Sequence, residues 1–89
     1  MITSIDVNAM FNPAGDFKPL YVRLEDERHE LHTYKIQSIN QIKDDNNKGS
    51  NARVFYCSIV ESEIKKEIVI RYNFQSHKWA LLDNWSQNP

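Results

Sequence analysis

Two histidines three residues apart, His29 and His32, sit among Asp26, Glu27 and Glu30, a segment with metal-ligand residue types. To chelate, imidazoles and carboxylates must converge on one point, and residues three apart on an extended strand point to opposite faces. A turn or helix beginning at His29 could bring the pair together. Read as a hairpin, the segment is a solvated reversal. His77 falls in an expected loop with no Asp or Cys at ligand spacing. Cys57 and Ser58 are nucleophile types without a sequence-local base, and scattered histidines do not define a triad. Gly15 and Gly49 lie too far apart to build a phosphate-cradling loop. The expectation is no catalytic residue, no cofactor and no stoichiometric metal.

Binding chemistry has more to draw on. Tyr21 and Arg23 share the outward phase of one expected strand, Lys35 lies on the next, and Arg53, Tyr56 and Arg71 come from others. Aromatic rings interleaved with cations are what single-stranded nucleic acid stacks on and neutralises against. Eleven Lys and Arg face twelve Asp and Glu, however, for a net charge of −1, and Asp6, Glu25 and Glu67 interrupt any basic stripe. Nucleic-acid affinity is therefore expected only in the nonspecific range of about 10⁻⁴–10⁻⁶ M. The leading expectation is a protein-interaction or structural module, with an unidentified protein or a second copy as partner. A single-stranded nucleic-acid binder is the alternative. Apolar surface beyond the needs of one core marks interfaces, and Trp85, in an otherwise polar tail, adds to that surface. The candidate interaction residues are thus Tyr21, Arg23, Lys35, Arg53, Tyr56, Arg71 and Trp85.

The elements that must position these residues follow from the chain's size and rhythm. Eighty-nine residues, 40% hydrophobic and 26% charged, suit one folded domain. Residues 1–83 are read as that domain and 84–89 as a polar tail. A single cysteine excludes an intrachain disulfide and fits a reducing compartment. The first residues carry no secretory pattern, and no apolar run reaches membrane-spanning length. A cytoplasmic location with no membrane association is the expectation.

Ile5, Val7, Ala9 and Phe11 alternate with polar residues, the period-two pattern of a half-buried strand. Asn12-Pro13-Ala14-Gly15 has the residue order of a type I turn and predicts a hairpin. Six strands follow from the pattern: Ile5–Phe11, Lys18–Glu25, Tyr34–Ile42, Arg53–Val60, Glu67–Phe74 and Trp79–Leu82. The third is ambiguous. A bulge near Ser38 keeps it a bent strand; the alternative is a helix over Glu30–Lys43 and an α+β fold. Arg53–Val60 is apolar on both faces, and residues 44–51 form a polar loop around Gly49. With no helix to cover an open sheet, an antiparallel meander avoids exposed edges by closing into a small SH3-like barrel. Phe11, Leu20, Val22, Leu24, Ile36, Ile68, Ile70 and Trp79 are its expected core.

Several of these positions carry a resemblance. Gly15 with Pro19, Tyr34 with Ile36, Gly49, Arg53 with Tyr56, and Trp79 make the chain similar to a group of small bacterial β-barrel proteins of unknown function. The resemblance spans Ile5 to Leu82 and implies a small barrel of bacterial origin. It implies no activity.

Overall fold

The computed structural model describes residues 3–45 and 51–82, and within them the protein is all β. Seven antiparallel strands form one sheet: β1 (Thr3–Phe11), β2 (Phe17–Glu25), β3 (Leu31–Lys35), β4 (Ser38–Asp45), β5 (Ala52–Glu61), β6 (Ile64–Asn73) and β7 (Lys78–Leu81). The order β3-β2-β1-β7-β6-β5-β4 is a meander whose first and last strands also pair. β1 achieves this by dividing its length. Thr3–Ile5 pair with β7, and Asp6–Phe11 pair with β2.

Two expectations are corrected here. The strand expected over Tyr34–Ile42 is neither one strand nor a helix, but two strands broken at Ile36-Gln37. The Ile36 N–H donates to Leu20 O at 2.8 Å, and the next N–H, of Gln37, donates to Ser58 O at 2.8 Å. Within two residues the chain leaves β2 and joins β5, so one segment supplies both edges of the sheet. That makes seven strands rather than six. No ladder joins β3 to β4, and the sheet is not closed into a barrel. Its edges are instead linked by the covalent corner, and side chains tie β3 to the interior strands: the Tyr34 hydroxyl on β3 donates to Glu61 Oε2 on β5 at 2.8 Å, and Lys66 on β6 holds the other carboxylate oxygen. The bulge expected near Ser38 lies between Ile39 and Gln41, with Asn40 as the extra residue. A second bulge, at Leu20, follows from the pairing of Asn8 with Tyr21 and Ala9 with Pro19.

Hairpin turns explain the short connections. Asn12 to Gly15 turn as the residue order predicts, with Gly15 N–H on Asn12 O at 3.0 Å and Gly15 at φ 92°. Asn12 Oδ1 accepts from the Ala14 and Asp16 N–H groups, each at 3.0 Å. The next hairpin repeats this arrangement with Asp26 in place of Asn12 and His29, at φ 64°, in place of glycine. Between β5 and β6 the reversal is only Ser62-Glu63, at φ 51° and 67°, the primed turn that matches strand twist. The turn is this narrow because β5 and β6 pair through Glu61 and Ile64.

L-residues at positive φ cost about 1–2 kcal/mol each. Replacing Ser62-Glu63 by Asn-Gly should therefore stabilise the fold by about 1 kcal/mol, after allowing for glycine's greater freedom in the unfolded chain. Thermal melts should show a rise of roughly 4–8 °C. An unchanged or lower midpoint would mean that the present pair is already relaxed.

The core lies inside the curl of the sheet. Val22, Leu24, Ile36, Ile68, Ile70 and Trp79 are buried, as the alternation predicts. Phe11 is not: it is 58% exposed, because it ends β1 beyond the last covered rung. Leu20, at the bulge, is only partly buried. Their places are taken by Phe17, Phe55, Cys57, Ile59, Tyr72 and Leu81. Among the described residues there is no helix long and apolar enough to cross a membrane.

Candidate functional site

The histidine segment resolves into two separate pairs. His32 Nε2 lies 2.7 Å from Asp26 Oδ2, and His29 Nδ1 lies 2.7 Å from Glu25 Oε1. Asp26 is occupied in shaping its turn, where it also accepts the Arg28 and Glu30 N–H groups. The Glu30 N–H, with help from His32, holds the Asp26 carboxyl below its ordinary range, and the Glu25 hydrogen bond raises His29. Each imidazole thus has its own carboxylate, and among the described residues no three metal-ligand side chains converge. His77 is turned toward Tyr72, its Nδ1 2.9 Å from the hydroxyl.

Cys57 is 1% exposed, and burial pushes its thiol up to about 12. A thiol so protonated is a poor nucleophile. Ser58 is fully buried on the opposite face of β5 and accepts a hydrogen bond from Asn40 Nδ2 at 3.0 Å. That contact satisfies the hydroxyl and anchors the bulge residue of β4.

The candidate interaction residues fall into separate places. Tyr21, Arg23 and Lys35 come together: Tyr21 stands directly opposite Lys35 on β3 and Asn8 on β1, and Arg23 is opposite Asp6 and Thr33. All face outward from β1–β2–β3. Tyr56 and Arg71 share the outer face of β5–β6, where Arg71 lies across from Val54. Lys43 Nζ sits 5.5 Å from the Tyr56 ring centre, and an Arg71 guanidinium nitrogen is 3.9 Å from Asp45. Arg53 belongs to neither group; it is on the inward phase of β5 at one end of the sheet. Trp85 and Gly49 lie outside the described residues.

Arg53 leads to a cluster that the sequence reading missed. Its guanidinium is 5.3 Å from the Phe17 ring and 5.6 Å from the Phe74 ring, and its Nε donates to Asp44 Oδ1 at 2.7 Å. Phe17 is the hub: Phe11 stacks on it at 4.9 Å, and Tyr72, Phe74 and Trp79 meet it edge-on at 5.0, 5.8 and 6.0 Å. Phe11 and Phe74, 58% and 38% exposed, carry this packing out to solvent. A signal was present in the chain. Phe11 and Phe17 flank one turn, Phe74 and Trp79 flank another, and pairing of β1 with β7 sets both turns at the same end. That pairing joins the two ends of the sequence, and period-two patterning is silent about it.

No protein-family model, curated protein or solved structure matches this chain.

Proposed function

We propose that this chain is a protein-interaction module whose docking surface is its aromatic end, with a second copy of the chain as the simplest partner. The observation that carries the reading is the pairing of two exposed rings, Phe11 and Phe74, with a fixed arginine. Both rings rest on the buried Phe17, and Arg53 is held over Phe17 and Phe74 by Asp44. Rigid aromatics beside arginine dominate the energetics of protein interfaces, because they bury much area while losing little side-chain freedom. A net charge of only −1 leaves little long-range repulsion between copies. The lone buried cysteine suits a reducing, cytoplasmic setting for such a module.

Light scattering should show an average mass that rises with concentration through the micromolar to millimolar range. Phe11→Ser removes an exposed ring without opening the core, and it should weaken that association by roughly 30-fold, the loss of one hot spot. A constant monomer mass at every concentration, or an association indifferent to Phe11→Ser, would overturn the reading.

A further inference from the structure

A different surface carries its own chemistry. The outer face of β1–β2–β3 presents Asp6, Asn8 and Met10 from β1, Arg23, Tyr21 and Lys18 from β2, and Thr33 and Lys35 from β3. A shallow groove of about 630 Å³ runs over it, lined by Asn8, Tyr21, Arg23 and Thr33 among others. Tyr21 is 42% exposed, and among the described residues its ring has no aromatic or cationic partner. Lys35 flanks it directly and Lys18 stands on the same strand beyond the Leu20 bulge; neither has an acidic partner among the described residues. Arg23 has only a loose one, Asp6 at 3.9 Å. Three cations thus surround one free ring, against two carboxylates on the same face, Asp6 and Glu25, of which Glu25 is taken up by His29 at 2.7 Å.

We propose that this face binds a short stretch of single-stranded nucleic acid, with a base stacked on Tyr21 and the phosphates drawn to Lys18, Arg23 and Lys35. The charge complementarity is local, and it exists although the whole chain is slightly acidic. The geometry suits a flexible single strand rather than a duplex. Stacking needs an unpaired base whose face is free, and an open tyrosine on a sheet provides the platform. Rungs along β2 place alternate outward side chains about 6.4–6.8 Å apart, a spacing that a flexible sugar-phosphate chain can follow. An acidic peptide would satisfy the cations and leave the ring unused, which is the distinction the test exploits.

Fluorescence anisotropy with a labelled oligo-dT of about ten nucleotides reads both halves of the proposal. Three phosphate contacts predict a slope of about −2.1 in log affinity against log salt, so raising salt from about 50 to 200 mM should weaken binding roughly 20-fold. Lys18→Gln or Lys35→Gln should each flatten that slope by about 0.7. Tyr21→Ala should cost at least about fivefold, and Tyr21→Phe should retain binding because the ring is what stacks. Lys65→Gln, on β6, should change nothing. Far-UV spectra of every variant establish that the fold survives, which outward-facing positions permit. The proposal is overturned if oligo-dT gives no salt-dependent binding at low salt. It is also overturned if Tyr21→Ala binds like wild type, or if a poly-aspartate peptide of equal charge competes as well as unlabelled oligo-dT.

Discussion

Replacing Trp79 by alanine is expected to lower the unfolding free energy by about 3–5 kcal/mol. The side chain is 9% exposed and stands at a junction of three elements. Its backbone pairs with Ile5 on β1 and Tyr72 on β6, and its ring lies 5.0 Å from Tyr72, 5.7 Å from Phe55 and 6.0 Å from Phe17. β7 is only four residues long and meets β1 through three residue pairs, so little else holds that seam. A domain of this size has roughly 4–13 kcal/mol of total stability, so at the lower end of that range the variant reaches the point of unfolding at ambient temperature. Urea titration followed by far-UV circular dichroism measures it. Phe11→Ala provides the contrast and should cost less than about 1 kcal/mol, as surface substitutions usually do. Equal losses from the two variants would mean that the end cluster, rather than the seam, carries the stability.

Cys57 should be inert to thiol reagents in the folded protein and react freely in urea. Its side chain is 1% exposed within β5, between Ile39 on β4 and Ile68 on β6. Reaction then requires opening of the sheet interior. Even the lower end of the expected stability, about 4 kcal/mol, corresponds to protection of roughly a thousandfold. Labelling with an aromatic disulfide at mildly alkaline pH, followed across a urea series, should track the unfolding transition. Prompt labelling in native buffer would show that β5 opens locally and that the core is looser than its packing implies. The same burial has a pH signature. The thiol rises from 9.0 to about 12 on folding, and Tyr34, half-buried and bonded to Glu61, rises from 10.0 to about 12. Groups whose values rise on folding contribute stability that is intact below the unfolded value and lost above it. Both contributions are thus intact at neutral pH and decline through the window from about 9 to about 12.

Three of the residues with catalytic or metal-ligand side chains do structural work: Asp26 shapes a turn, Ser58 anchors a bulge, and Cys57 fills the core. The aromatic end and the Tyr21 face use different residues. Phe11→Ser and Tyr21→Ala therefore separate the two proposals, since neither substitution touches the other surface.

Much of the fold was legible from alternation alone. Leu20, Val22 and Leu24 against Tyr21 and Arg23 place β2 and its inner face, with only Leu20 displaced by its bulge. Ile68 and Ile70 do the same for β6. The Asn-Pro-Ala-Gly turn was equally plain, because its residue types match the backbone angles it needs. Turn chemistry failed as a guide elsewhere. His29, Ser62, Glu63 and His77 adopt positive φ without being glycine, so the β2–β3, β5–β6 and β6–β7 hairpins carry no glycine at those positions. Tertiary pairing on either side holds these residues there, and local sequence does not display that constraint.

What only the tertiary structure decided is where distant segments meet. Local pattern assigns each strand an inner and an outer face, since side chains alternate whatever the neighbours are. It says nothing of which strands adjoin, because backbone hydrogen bonds are alike at every rung. Pairing of β1 with β7 gathers Phe11, Phe17, Phe74 and Trp79 at one end, and the break at Ile36-Gln37 hands one segment to both edges of the sheet. Tyr21 and Lys35 become neighbours through the β2–β3 register, whereas Arg53, of the same chemical type as Arg23, is drawn inward to cover rings. Composition supplied the aromatic and cationic groups; long-range register, set by burial of Phe17, Phe55 and Trp79 together, determined which of them face solvent side by side.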